Sequence, residues 1–104
     1  MRVKWTERAM KDKQQVSSYI RRKFGADSKD QFLLHVRQTT RLLKQHLNMG
    51  VIDPLFEDCS IAYRSVIIDG LSKIVYYIDS DTVIYIVAFW DCRREPKVLS
   101  GEVR

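Results

Sequence analysis

The sequence predicts an α+β domain in which a helical hairpin packs on a small, mostly antiparallel sheet, in the order β-α-α-β-β-β. Residues 60–68, 71–79 and 82–91 are three short runs rich in Val, Ile and Tyr, separated by turn-forming residues, which is typical of an antiparallel meander. The first half of the chain instead has helical periodicity. A chain of 104 residues is long enough for one core and too short for two, so we expect a single domain over residues 1–104.

A short strand and a long helix open the chain. Arg2–Trp5 alternates polar and apolar residues, which predicts a strand that pairs at one edge of the sheet. Thr6 fits a helix N-cap and Gly25 a C-terminal stop, so we expect the first helix to run to about Phe24. The apolar residues of this helix form one face, which Lys13 interrupts.

The second helix is predicted to begin at Ser28, because Ser28–Gln31 fits a capping box, and to end at Gly50. Its expected buried stripe consists of Phe32, Leu33, Val36, Leu43 and Leu47. Since only a few residues connect the two helices, they should pack as an antiparallel pair. Residues 51–59 are expected to form a loop, because Pro54 is excluded from a helix interior.

The three later strands are apolar on both faces. We expect one face to pack on the helices, and the other to be covered by the C-terminal tail or a partner, or to stay partly exposed. Aromatic residues crowd this region, namely Tyr63, Tyr76, Tyr77, Tyr85, Phe89 and Trp90. Core packing is the commoner use of strand aromatics, and stacking on the bases of single-stranded nucleic acid is the alternative.

The dipeptide Asp69-Gly70 predicts a two-residue hairpin turn. Such a turn pairs Arg64 with Val75, and it places Lys73 diagonally across from Arg64 on the same face, within reach of one phosphate-sized ligand. Tyr77 shares that face in this register. The alternative is two solvent-facing charges on an open sheet.

Arg93 lies at the exit of the last strand. With a two-residue turn after Asp79, a regular strand puts Arg93 on the face opposite Lys73. A three-residue turn or a β-bulge brings the two cations to the same face, and the sequence leaves both registers open.

Charge is distributed unevenly along the chain. Residues 1–50 hold 12 basic and 4 acidic residues, a net charge of +8, whereas residues 51–104 hold 6 and 9, a net charge of −3. A basic half of this kind suits nucleic acid, the ribosome or an acidic protein segment. A solvated helix surface is the alternative.

Several features exclude other classes of function. A charge interrupts every apolar stretch within ten residues, so none can span a bilayer, and the N-terminus lacks the apolar core of a signal peptide; we therefore expect a cytoplasmic protein. Cys59 and Cys92 lack metal-type spacing and are expected to be free thiols. His35 and His46 are 11 residues apart on one helix, or roughly 16 Å, too far to share a metal ion. We expect no metal and no cofactor.

Several segments, in order along nearly the whole chain, resemble the RelE/ParE superfamily of bacterial toxins, the toxin halves of type II toxin–antitoxin modules. The segments are residues 6–12, 18–20, 63–65, 73–76 and 90–96. The resemblance implies a β-α-α-β-β-β toxin fold and a cognate antitoxin encoded beside the toxin. It also implies that the antitoxin wraps an extended or helical segment around the toxin.

The superfamily divides by target. The resemblance implies either cleavage of messenger RNA in the ribosomal decoding site, as in RelE-like members, or inhibition of DNA gyrase without nuclease activity, as in ParE-like members. On the ribonuclease interpretation, Arg64, Lys73 and Arg93 align with the catalytic cations that stabilise the phosphate as the RNA 2′-hydroxyl attacks it. Tyr77 and Arg94 are the expected substrate contacts.

The chain also departs from the ribonuclease pattern. Lys73 stands where the family usually has Arg, which removes a bidentate phosphate contact. Residues 96–100 lack the tail Tyr of some members, and Asp91 and Cys92 occupy the region where others have a catalytic His. Our first hypothesis is therefore a metal-independent mRNA interferase that acts with the ribosome. The alternatives are a gyrase inhibitor and a degenerate member that only binds its antitoxin.

Overall fold

In the computed structural model, which describes residues 2–69, 72–79 and 82–91, two helices pack on a five-stranded mixed sheet. The elements are β1 (Arg2–Trp5), α1 (Glu7–Phe24), α2 (Ala26–Gln45), β2 (Val51–Ile52), a 3-10 helix (Pro54–Phe56), β3 (Arg64–Ile68), β4 (Ser72–Ile78) and β5 (Val83–Asp91). The predicted α+β architecture is therefore confirmed. The segment predicted to be a loop gains a two-residue strand and a turn of 3-10 helix, which the Asp53 side chain caps by accepting a hydrogen bond from the Leu55 amide.

The strand order is β1-β5-β4-β3-β2. Strand β1 lies at one edge, as predicted, and pairs in parallel with β5, whereas the other pairs are antiparallel. Helices α1 and α2 connect β1 at one edge of the sheet to β2 at the other edge. Because this long connection crosses one face of the sheet, β1 can pair in parallel with β5, the last strand of the chain.

A single glycine joins the two helices. The Thr6 hydroxyl accepts a hydrogen bond from the Ala9 amide and starts α1, as predicted. Gly25, with φ 99° and ψ 173°, ends α1, and α2 begins at the next residue. The predicted start at Ser28 is wrong, because the Ser28 hydroxyl bonds back to the Phe24 carbonyl and the chain has already resumed a helical path. Helix α2 also ends at Gln45, five residues before Gly50.

The main core lies between the helices and the sheet. Residues Phe32, Val36 and Leu43 of the predicted α2 stripe are buried there against strand residues such as Ile74 and Ile86. Leu33 and Leu47 are only partly buried at the margin. The Trp5 ring stacks on Phe89, with 5.4 Å between ring centroids, and fixes the edge strand to this core.

A second, smaller core lies on the opposite face of the sheet. Val75, Ala88 and Trp90 are buried there beneath Phe56 and Tyr63. Both covering residues come from the connection between β2 and β3. Within the described residues it is therefore this internal connection that covers part of the second face.

The β3–β4 register differs from the prediction by one residue. Ile68 pairs with Ser72, and Arg64 pairs with Tyr76 rather than Val75. Three residues, 69–71, separate the paired ends of the strands, and Asp69 has φ 50°. The predicted two-residue turn is therefore wrong. A shift of one residue moves every side chain of a strand to the other face relative to its neighbour.

Candidate functional site

The register shift separates the two predicted cations that the structure describes. Arg64 is paired with Tyr76 and lies on the helical face, whereas Lys73 is paired with Ile67 and lies on the opposite face. Tyr77, four residues further along β4, stays on the face of Lys73. The expectation that Arg64 and Lys73 share a face of the sheet is therefore wrong.

Arg64 belongs to a hydrogen-bonded network at the end of α2. Its Nη1 donates to the Gly50 carbonyl at 2.7 Å, and the Gly50 amide donates to the Tyr76 hydroxyl at 2.9 Å. The hydroxyl in turn donates to the Leu47 carbonyl at 2.9 Å. Burial raises the pKa of Tyr76 above its ordinary value of 10.0. Arg64 thus ties the chain after α2 to strand β3.

Lys73 neutralises a buried carboxylate. Its Nζ lies 2.6 Å from Oδ2 of Asp53, whose side chain is 2% exposed, while that of Lys73 is 14% exposed. Asp53 also caps the 3-10 helix through its other carboxylate oxygen. This ion pair anchors the covering connection to β4, and it occupies the ammonium group that was expected to meet phosphate.

The remaining predicted site residues are Tyr77, Arg93 and Arg94. Tyr77 is half-buried between Tyr63 and Tyr85, with ring centroids 5.8 Å and 5.2 Å away. Arg93 and Arg94 lie outside the described residues. The β4–β5 ladder does contain a bulge, since Tyr76 pairs with Ile86 and Val75 with Ala88.

Metal binding and membrane crossing can also be assessed for the described part of the chain. Over residues 2–69, 72–79 and 82–91, no group of three or more His, Cys, Asp or Glu side chains could hold a metal ion. Within those same ranges neither helix combines the length and apolar content that crossing a bilayer requires.

A basic cleft that the sequence motifs do not predict opens beside the helices. Its volume is about 420 Å³. The lining residues are Trp5, Met10, Lys13, Leu33, Val36, Arg37, Thr40, Arg41 and Lys44. They come from β1, α1 and α2, so the cleft forms only when the hairpin packs against the edge strand.

The cleft combines an apolar floor with a cationic rim. Arg37, Arg41 and Lys44 follow one another at helical spacing on α2, and the Lys13 ammonium lies 4.9 Å from the centre of the Trp5 ring. Among the lining residues that the structure describes, none supplies a carboxylate to these four cations. Such a surface can receive a segment that has apolar side chains on one side and acidic ones along its margins.

The sequence held a signal for this cleft. Lys13 interrupts the apolar face of α1, and Arg37, Arg41 and Lys44 repeat at the spacing of one helix face. This pattern alone does not predict a cleft, because Trp5 of the edge strand, which lines the cleft beside the α2 cations, lies far from α2 in the sequence.

Comparison with known proteins identifies the class of fold and then the family. A solved structure described as "Chromosomal ParDE TA system from P. aeruginosa" matches with a TM-score of 0.70, covering 88% of this chain and 95% of that chain. Sequence identity is 16%, so this likeness supports the fold alone.

The family model of the ParE toxin of the type II toxin–antitoxin system parDE matches residues 3–96. The chain therefore belongs to the ParE toxin family. It is a toxin of a type II toxin–antitoxin system, a class that implies a cognate antitoxin as partner. None of the curated proteins compared with the chain matches it.

Proposed function

We propose that this toxin binds and inhibits DNA gyrase and does not cleave RNA. The match to the ParE family favours this alternative, since the resemblance to ParE-like members implies inhibition of gyrase without nuclease activity. The observation that carries the proposal is the separation of Arg64 and Lys73 by the sheet, since phosphoryl transfer needs cations that converge on one phosphate.

The contacts of the two cations support the same proposal. The Arg64 guanidinium bonds to the Gly50 carbonyl and the Lys73 ammonium to the Asp53 carboxylate. Moving either group to a substrate would break a part-buried interaction. The first hypothesis is an mRNA interferase built on Arg64, Lys73 and Arg93. Arg64 and Lys73 lie within the described residues, and their contacts give this hypothesis no support.

Two assays, one with purified toxin and one in cells, test the target. Purified toxin should inhibit supercoiling by purified gyrase, and the preformed toxin–antitoxin complex should not. Profiling of RNA ends after induction in cells should find no new cleavage sites within codons. Normal supercoiling together with newly cut messenger RNA would establish the ribonuclease instead. Unimpaired growth after induction without the antitoxin would indicate a degenerate member.

The basic cleft is also the site at which we propose that the antitoxin binds. An amphipathic acidic segment matches its apolar floor and its four cations, and segments of this kind can fold as they bind. Neutralisation then depends on charge pairs at the rim and apolar burial on Trp5 and Met10, which is 52% exposed in the free chain.

Charge reversal in the cleft tests this placement. Arg37→Glu/Arg41→Glu should weaken antitoxin binding by about tenfold or more, because like charges then face each other. Lys11→Glu/Arg22→Glu is the matched control, since both residues are exposed on the opposite side of α1. Titration calorimetry on each variant gives the comparison. Equal losses in both double variants would indicate only a general charge effect.

A further inference from the structure

A row of aromatic rings crosses the sheet face that points away from the helices. Phe56 contacts Tyr63 with 5.0 Å between centroids, Tyr63 contacts Tyr77 at 5.8 Å, and Tyr77 stacks on Tyr85 at 5.2 Å with 19° between the ring planes. The row runs from the connection between β2 and β3 across β4 to β5.

Burial decreases along this row. Phe56 is 2% exposed and Tyr63 9% exposed, whereas Tyr77 and Tyr85 are only half-buried. Within the described residues, no hydrogen bond engages the hydroxyl group of either half-buried tyrosine. Two stacked rings with free hydroxyl groups thus remain accessible at the β5 end of the row.

The edge strand adds cations beside the accessible rings. Lys4 is the register partner of Tyr85, and Arg2 is the partner of Val83, so both cations lie on the face of the tyrosines. Both side chains are exposed. In the part of the chain that the structure describes, neither makes an ion pair or a side-chain hydrogen bond.

We propose that this tyrosine face, formed by Arg2, Lys4, Tyr77 and Tyr85, binds single-stranded nucleic acid. An unpaired base can extend the row by stacking on the Tyr85 ring, and its flanking phosphates can pair with Lys4 and Arg2. Stacking platforms beside cations are the usual means of holding a strand without sequence preference. The proposal is independent of the gyrase target and of the basic cleft, which lies on the helical side.

The chemistry of the tyrosine face favours single-stranded nucleic acid over a duplex and over an acidic peptide. Bases within a duplex are stacked on each other and cannot reach a ring that stands on a sheet face, so a duplex offers the site only its phosphates. An acidic peptide offers charge and no base. Single-stranded DNA and RNA share both required features, and the test compares the two.

Fluorescence anisotropy on the full-length chain tests the proposal. The probes are a labelled oligothymidylate and a labelled oligouridylate of about 12 nucleotides, with a duplex of the same length for comparison. We expect both single strands to bind more tightly than the duplex. Tyr85→Ala should weaken binding about tenfold, as expected when one stacked base is lost, and Tyr85→Phe should retain affinity because the ring remains.

The contribution of charge to binding is measured from the dependence of affinity on salt concentration. Lys4→Ala should reduce the slope of log affinity against log salt by about 0.7, as for one released counterion on a single strand. Lys11→Ala removes the same charge from the outer side of α1 and should leave the slope unchanged. Circular dichroism confirms that each variant is folded.

Three results would overturn the proposal. One is the absence of single-strand binding at low salt, and another is equal affinity for duplex and single strand. The third is a loss of affinity in Lys11→Ala as large as that in Lys4→Ala, since it would indicate diffuse attraction to the basic half of the chain. Binding to DNA alone or RNA alone would support the proposal and identify the source of the strand.

Discussion

Tyr76 and Gly50 illustrate how single residues fix the fold. A Cβ atom on Gly50 would lie 2.7 Å from the Tyr76 hydroxyl and 2.8 Å from the Ser65 carbonyl oxygen, so only glycine fits this close approach. From the sequence alone, Gly50 is expected to end a helix. The structure gives it a different role, because its amide and carbonyl are partners of Tyr76 and Arg64.

Removal of the Tyr76 hydroxyl should destabilise the protein. Tyr76→Phe leaves the buried Gly50 amide without its acceptor, and we expect a loss of about 1–3 kcal/mol in the free energy of unfolding. Tyr85→Phe is the control, since that hydroxyl makes no hydrogen bond within the described residues. Urea denaturation of both variants measures the difference. Equal urea midpoints in Tyr76→Phe and Tyr85→Phe would show that the hydrogen bonds of the Tyr76 hydroxyl do not stabilise the fold.

The buried tyrosines also predict a dependence on alkaline pH. Burial raises the pKa of Tyr76 and of Tyr63 above 10.0 in the folded state. Their contribution to stability is therefore complete below about pH 10, where both states hold the proton, and is lost as pH rises and the unfolded state ionises first. Tyr76→Phe should flatten the fall of the urea midpoint as pH rises above about 10. An unchanged fall would exclude Tyr76 as its cause.

Lys73 is expected to act through stability. Lys73→Met leaves the Asp53 carboxylate buried and uncompensated, and we expect a loss of about 3 kcal/mol. Asp53→Asn/Lys73→Met removes both charges and keeps an oxygen to cap the 3-10 helix, so the double variant should recover part of that loss. Urea denaturation measures both. If Lys73→Met loses toxicity while its stability is unchanged, Lys73 acts directly at a functional site and not through stability.

At the scale of elements, the helical hairpin depends on its one-residue connection. Gly25 has φ 99° and ψ 173°, a region that is accessible almost only to glycine. A Cβ atom there would meet nothing within 4 Å, so the backbone conformation alone accounts for the requirement. The two helices can therefore follow one another with no intervening loop.

Gly25→Ala should destabilise the hairpin by about 1–3 kcal/mol through backbone strain. Ser18→Ala, on the exposed surface of α1, is the control and should be nearly neutral. Thermal unfolding followed by circular dichroism compares the two. A wild-type melting temperature in Gly25→Ala would mean that the chain relaxes to another connection at no cost.

At the scale of the whole molecule, charge divides the protein into two halves. The first 50 residues, with a net charge of +8, supply all four cations of the basic cleft, whereas the rest of the chain is acidic. This asymmetry is expected to steer an acidic partner toward the helical side.

Association with the antitoxin should therefore slow as salt increases. Screening lengths fall from roughly 30 Å at 0.01 M to about 8 Å at physiological ionic strength, so the long-range attraction is lost first. Stopped-flow measurement of the association rate over this range tests the expectation. Arg37→Glu/Arg41→Glu should reduce the salt dependence, and a rate that is independent of salt in the wild type would contradict steering.

The helices, strands and charge asymmetry were largely predictable, because capping, periodicity and composition are local properties. Thr6, Gly25 and the three Val- and Ile-rich runs carried that information. The sequence predicts Arg64 and Lys73 on one face because Asp69-Gly70 predicts a two-residue turn after Ile68. The local dipeptide favours the shorter turn, but Ile68 pairs with Ser72, and the burial of apolar side chains on both sheet faces selects this register.

By itself, then, the sequence determined a basic helical pair on a sheet with two apolar faces, and its motifs pointed to the toxin superfamily. Only the tertiary structure decided which side chains meet. The Asp53–Lys73 pair, the Gly50–Tyr76–Arg64 network and the cleft between Trp5 and α2 all join residues that are distant in sequence. Their partners follow from strand register and helix packing, which the burial of the two cores sets for the chain as a whole.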